Sequence, residues 1–300
     1  MHRQRYGFTI IELLTVLGII GVLSSMVLFA LFSVSENARK QRTKAQITKI
    51  HELISGRWES YRTRPMPISA NAIRGKSPKD VALLRLNAMY ELMRMEMPDI
   101  IADVTEPAQE KVWRRSISSV ARAHQLRLSS GAPSITFQSA ECLYMILANI
   151  QDGDTNGLDF FREREKGDVD EDGFPEILDG WGQPISFLRW APAYHLKPGF
   201  STLQFGDLNP GEDGDAGEGN GDPFDPLKVN PRWNNEIKDD DPFALFPLIY
   251  SWGPDGAAGL REGFTRNRIN DPYDIEFPRG QIDRFNDAVD NISNHMLEAR

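Results

Sequence analysis

Two stretches of this chain place oxygen-bearing side chains at the alternating spacing that surrounds a hard metal ion. Asp152, Asp154 and Asn156 occupy positions 1, 3 and 5 of the first, Gly157 position 6 and Glu163 position 12, the spacing of an EF-hand calcium loop. In such a loop alternate side chains converge on one ion, the glycine permits a sharp turn, and the distal carboxylate closes the shell with two oxygens. Asp168, Asp170, Asp172, Gly173 and Asp179 repeat the spacing directly afterwards. Calcium is the expected ion, because a cage of many oxygens suits it better than the smaller magnesium. Position 8 is Asp159 in the first stretch and Pro175 in the second. Neither supplies the aliphatic strand contact of a paired sensor loop, and the proline lacks an N–H altogether. Both stretches therefore read as calcium-stapled turns. The alternative is a pair of solvated Asx-turns that use Asp, Asn and Gly for their backbone preferences.

A carboxylate of another kind stands near the start. Glu12 immediately precedes Leu13 to Phe32, a run without a single charge, and about 20 apolar residues at 1.5 Å rise cross the hydrocarbon core of a bilayer. An acid at the lip of such a helix is costly and seeks a partner, about 2.5–3.5 kcal/mol near a helix centre. The basic leader Met1-His2-Arg3-Gln4-Arg5-Tyr6 stops before the apolar run, unlike a secretory signal peptide, whose shorter apolar core ends in a cleavage site. Arg39, Lys40, Arg42, Lys44 and Lys49 follow the helix, so charge counting leaves its orientation open.

The run Gly7-Phe8-Thr9-Ile10-Ile11-Glu12, with its basic leader and apolar helix, closely resembles the N-terminal signature of type IV pilins and type II secretion pseudopilins over Arg5 to Leu31. The resemblance implies that prepilin peptidase cuts after Gly7 and N-methylates Phe8. It implies that Glu12 pairs with the terminal amine of a neighbouring pilin or pseudopilin subunit during assembly on an inner-membrane platform. It further implies a cytoplasmic leader, with the chain beyond about Phe32 periplasmic. A plain signal anchor, with Glu12 reaching the membrane interface, is the alternative.

Beyond the membrane segment, Val34, Ala38, Ile47, Ile50, Ile54, Trp58 and Tyr61 recur at helical steps to about Arg62, marking an amphipathic continuation. Helical spacing then predicts helices over Asp80 to Met97, Lys111 to Leu128 and Ser139 to Ile150. Met89, Met93, Met95 and Met97 are read as core filler, the other reading being an adaptable binding surface. Short strands are expected within Ile185 to Trp190 and Ala244 to Trp252. Asp207 to Asp222 reads as an exposed acidic loop, and Gln281 to Arg300 as a closing amphipathic helix.

A second block strengthens the resemblance. Asp179-Gly180-Trp181-Gly182-Gln183-Pro184 is similar to a strand start in the major type II pseudopilin, and Tyr250-Ser251-Trp252-Gly253-Pro254-Asp255-Gly256 to a later turn. The resemblance implies a further calcium site through Asp255, with Asp271 and Asp274 as the nearest later ligands. The segment Arg261 to Asn270 lengthens that spacing.

The net charge of −9 argues against a nucleic-acid partner. Cys142 is the single cysteine, so an intrachain disulfide is excluded, and its apolar surroundings make it core. His51, His124 and His195 are scattered without catalytic or zinc spacing, and no enzyme activity is expected. The expected fold is an α+β pilin-like one: leader 1–7, transmembrane half-helix 8–32, amphipathic half-helix 33–64, helical insertion 65–150, acidic loops and small antiparallel sheet 151–280, and C-terminal helix 281–300. The expected function is a structural subunit of a type II secretion pseudopilus or type IV pilus-like filament. The alternative is a membrane-anchored, calcium-dependent surface module such as an adhesin or carbohydrate binder.

Overall fold

A computed structural model describes residues 9–66, 68–105, 118–131, 133–192, 194, 221–234, 242, 244–262, 273 and 279–297. The chain divides into two units, Met1–Arg42 and Thr43–Arg300. Helix α1, Ile10–Thr63, contributes to each.

In the first unit, Thr9 opens the helix. Its hydroxyl accepts from Glu12 N at 3.3 Å, while its own N–H and O–H donate to Glu12 Oε2 at 2.9 and 2.8 Å. This reciprocal capping box satisfies donors that a helix start leaves without intrahelical partners. Large apolar side chains from Ile10 to Phe32 lie exposed along the helix, and it is long and apolar enough to cross a membrane. Ser25 and Thr15 return their hydroxyls to Val22 O and Glu12 O, so these polar groups do not interrupt the apolar surface. Val34 and Ala38, expected on the buried face, are exposed.

In the second unit, burial on α1 begins at Thr43 and follows Ile47, Ile50, Ile54, Trp58 and Tyr61, the helical stripe that a core-facing helix requires. The helices that follow are α2, Ala70–Ile73; α3, Pro78–Glu96; α4, Ile101–Thr105; α5, Ser119–Leu128; and α6, Gln138–Ala148. Residues 111–117 of the helix expected over Lys111 to Leu128 lie outside the described residues. Met89, Met93, Met95 and Met97 are all buried, so they fill the core and present no binding surface. Cys142 is buried likewise. Glu96, at the end of α3, receives Arg57, Arg64 and the Tyr61 hydroxyl, which fixes the end of α1 against α3.

The strands are short and antiparallel. β1, Gln151–Asp152, pairs with β2, Thr155–Asn156; β3, Lys166–Gly167, pairs with β4, Glu176–Ile177. A three-stranded sheet has the order β5, Ile185–Leu188; β6, Leu248–Ser251; β7, Ile292–Ser293. Side chains alternate across it. Ile185, Phe187 and Ile249 join the core that contains the α1 stripe, whereas Leu188, Leu248 and Tyr250 form a second cluster with Ala191 and Tyr194.

The expected C-terminal helix is corrected. Its described part is a short helix α7, Phe285–Ala288, then β7, then α8, Asn294–Leu297. The open edge of β6 wins over helical periodicity here, because unpaired buried strand groups are costly. Asn294 extends the pairing with its side chain, accepting from Ile249 N and donating to Pro247 O.

The β1–β2 hairpin lies against the end of α6. Gly157 N donates to Ile150 O at 2.9 Å, and a Cβ on Gly157 would fall 2.5 Å from Leu147 O. Backbone cannot yield as a flexible side chain does, so Gly157→Ala is expected to cost about 1–3 kcal/mol. Equilibrium urea unfolding checks this, and a midpoint equal to wild type would refute the close approach.

Candidate functional site

The described acids separate sharply into those that converge and those that do not. In the first acidic stretch, Asp152 sits in β1 opposite Thr155, and Gly153, at φ +60°, and Asp154 make the turn of the hairpin. Asn156 spends its side chain on the backbone, accepting from Leu158 N at 3.0 Å and donating to Ala148 O at 2.9 Å. The Glu163 side chain is 95% exposed and pairs with Lys166 at 2.8 Å. The expected EF-hand-type loop is thus corrected to a hairpin followed by a single turn of 3-10 helix, Gly157–Phe160. A two-residue turn with glycine at positive φ satisfies the same Asp-Gly pattern without an ion.

The second stretch behaves differently. Asp168 closes the turn by accepting from Asp172 N and Gly173 N at 3.1 and 2.8 Å, with Glu171 and Gly173 at positive φ. Asp170 and Asp172 then project toward Glu141 of α6, and one carboxylate oxygen from each of these three residues lies within 4.8 Å of the other two. Asp172 accepts from Phe174 N and Ser134 N. Glu141 is only 1% exposed, and neither of its oxygens has a hydrogen-bond partner. Ser134 N–H, which donates to Asp172, lies near enough to lower the Glu141 pKa somewhat, the least of its influences. Both oxygens of Asp170 are likewise shielded and unpartnered.

Glu176, at position 9 of the stretch, joins the group from β4. It is fully buried, accepts from Val169 N at 3.1 Å through Oε2, and leaves Oε1 unpartnered. Burial, reinforced by the charges of Asp172, Glu176 and Asp170, pushes Glu141 up to about 8. Burial likewise lifts Glu176 to about 7, against the pull of Val169 N–H and with the neighbouring aspartates adding to the rise. Both shifts have the direction expected where negative charge is concentrated away from water.

Asp179, expected at position 12, does not close this shell. Its carboxylate accepts from Trp181 N, Gln183 N and the Ser251 hydroxyl, the last at 2.6 Å, and so fastens the start of β5 to the end of β6. Glu141 was not anticipated as a ligand because it lies outside the spacing motif. Its signal in the sequence is an acid inside the apolar run of α6, a helix whose neighbouring residues Ala140, Cys142 and Leu143 are all buried.

Asp255 is exposed at a turn and accepts from Ala257 N; its expected companions Asp271 and Asp274 lie outside the described residues. So do Gly7, Phe8 and most of Asp207 to Asp222. Of that acidic loop, Asp222 is described and is buried, accepting from the Tyr90 hydroxyl and Phe224 N. Glu12 stands in the first turn of α1, with the Thr9 contacts given above.

Comparison with known families and proteins adds one result. The family model for the prokaryotic N-terminal methylation motif matches residues 2–28. No curated protein and no solved structure matches the chain. The motif marks a prepilin-peptidase substrate that assembles with other pilins, a structural protein more than an enzyme, and its apolar helix is consistent with a single-pass membrane anchor. With the motif running into an exposed apolar helix, and with further helices and small antiparallel sheets behind it, this chain fits the type IV pilin-like family at the level of its N-terminal segment and mixed α+β fold.

Proposed function

We propose that the protein is a structural subunit of a type II secretion pseudopilus or type IV pilus-like filament, cut after Gly7, N-methylated on Phe8, and assembled through α1. The observation that carries this reading is Glu12. Its carboxylate lies in the first turn of a helix with an exposed apolar surface, one turn from the residue that cleavage would make the new terminus. A buried carboxylate and a new terminal amine from a neighbouring subunit satisfy each other when such helices pack together in lipid or in a filament core. In this reading the anchor resides in the inner membrane, the second unit is periplasmic, and the assembly platform is a partner. Calcium is its cofactor.

Support for the type II branch comes from the contact between the two blocks that resemble the major pseudopilin. Asp179 and Ser251 join them at one end, and Trp252 Nε1 donates to Ser186 Oγ at 2.9 Å beside that contact.

The test is intact-mass and N-terminal analysis of protein recovered from membranes of the native host. The expected chain begins at N-methylated Phe8. Gly7→Ala should retain the leader, and Glu12→Ala should be processed normally yet co-assemble at least about tenfold less, since loss of a charge pair in lipid removes a couple of kcal/mol. A wild-type chain still beginning at Met1, or full incorporation of Glu12→Ala, would overturn the reading.

A further inference from the structure

We propose that Glu141, Asp170 and Asp172, with Glu176 beside them, hold one calcium ion that pins helix α6 to the loop between β3 and β4. The site differs from an EF-hand loop in its closing ligand, which comes from a helix outside the loop. It stands independently of how the N-terminal segment is processed.

Three observations carry it. The first is convergence: oxygens from Glu141, Asp170 and Asp172 all lie within 4.8 Å of one another. Two oxygens each about 2.4 Å from a shared calcium can be no farther apart than that. The second is burial without partners. Glu141 is 1% exposed with both oxygens unpartnered, and Glu176 is fully buried with Oε1 unpartnered. Buried polar atoms in native proteins are satisfied, and a buried carboxyl group facing other carboxyl groups takes up either a proton or a counter-charge. The third is that, among the described residues, no cationic side chain hydrogen-bonds to Glu141 or Asp170. Arg127, which reaches this loop, stacks over Phe174 at 4.9 Å and donates to Gly173 O, the backbone side of the loop. Hard oxygen ligands from acids alone, with no His or Cys among them, match calcium rather than zinc or copper, which favour imidazole and thiolate.

The ion would join segments distant in sequence. Glu141 belongs to α6, Asp170 and Asp172 to the loop, and Asp172 also takes Ser134 N–H from the stretch that leads into α6. Calcium would thereby lock the α5–α6 connection to the sheet region. Asp168 shapes the loop and remains a positioning residue.

The experiment uses the full chain in detergent, stripped with EDTA and titrated with calcium chloride by calorimetry, with thermal unfolding recorded alongside. Wild type should take up calcium and melt at a higher temperature in its presence. Glu141→Gln keeps the side chain's volume while removing its charge. It is expected to bind one calcium fewer, or that calcium at least tenfold more weakly, and without calcium to melt no lower than stripped wild type, because glutamine has the shape of the protonated acid. Glu163→Gln, in the hairpin, should titrate as wild type. A Glu141→Gln chain that is folded by circular dichroism and binds calcium with wild-type stoichiometry and affinity would overturn the proposal. So would a stripped wild type that takes up no calcium, or a Glu163→Gln chain that loses the same ion. Magnesium in place of calcium should give a smaller shift at equal concentration, and an equal or larger one would overturn the assignment of the ion.

Discussion

Arg189→Met is expected to destabilise the second unit by about 3–5 kcal/mol, the effect of removing one partner from a buried ion network. Arg189 is fully buried just after β5. Its Nη1 donates to Asp103 Oδ2 at 2.7 Å and to Met97 O at 2.9 Å, and its backbone N–H donates to Asp99 Oδ2 at 2.8 Å. Arg279 Nη1 pairs with the same Asp99 Oδ2 at 2.8 Å. Burial raises both carboxyls, but for Asp99 the charges of Arg189 and Arg279 outweigh it and bring the group below its ordinary value. Asp103 stays raised, by burial and by the charge of Asp99. Methionine fills the space of the arginine stem but leaves two buried acids facing one remaining guanidinium. Arg189→Met combined with Asp103→Leu should recover part of the loss, because the uncompensated charge goes with its partner. Equilibrium unfolding of the four chains in this cycle measures the effect. A single Arg189→Met chain within about 1 kcal/mol of wild type would sink the account.

The second large effect is a pH dependence carried by His295. This imidazole is fully buried against Tyr194, its Nε2 hydrogen-bonded to Pro247 O at 3.2 Å. Burial pushes it down to about 4, with His51 adding to the fall and Pro247 O opposing it. The unfolded chain therefore binds a proton near pH 6.5 that the folded chain refuses until about pH 4. Between those values the unfolded state holds more protons, so the stability contributed by neutral His295 is present above pH 6.5 and lost as the pH falls toward 4. The full shift corresponds to about 3 kcal/mol. Raised acids act oppositely. Glu141, Glu176 and Asp103 keep protons in the folded state that the unfolded chain has released, so their contribution is lost as the pH rises through about 6 to 8. The signal is therefore the difference between wild type and His295→Gln, measured in EDTA from pH 7 to pH 4. Wild type should lose about 3 kcal/mol relative to the variant over that interval, and parallel curves would show that the ring is not held neutral.

Much of this protein was legible in local pattern. The uncharged run from Leu13 to Phe32, the α1 stripe from Ile47 to Tyr61, and helices α3 and α6 follow from composition and three- to four-residue periodicity, which a helix realises within its own length. Strands β5 and β6 were visible from their aromatic and β-branched content and the glycines and prolines that bound them. The alternation Asp168, Asp170, Asp172 likewise determined where acids gather.

Only tertiary structure decided what those acids meet. Two stretches with the same spacing take different shapes: the first closes as a hairpin against the end of α6, while the second turns its acids toward Glu141. Asp179 serves the β5–β6 junction because Ser251, distant in sequence, arrives beside it. The tail became β7 because the edge of β6 offered partners that no local periodicity reveals. The sequence thus determined the anchor, the helices and the candidate carboxylates, since each depends on residues a few positions apart. Which carboxylates share a site, and which strand completes the sheet, depends on pairings between segments distant along the chain, and only the folded backbone brings those together.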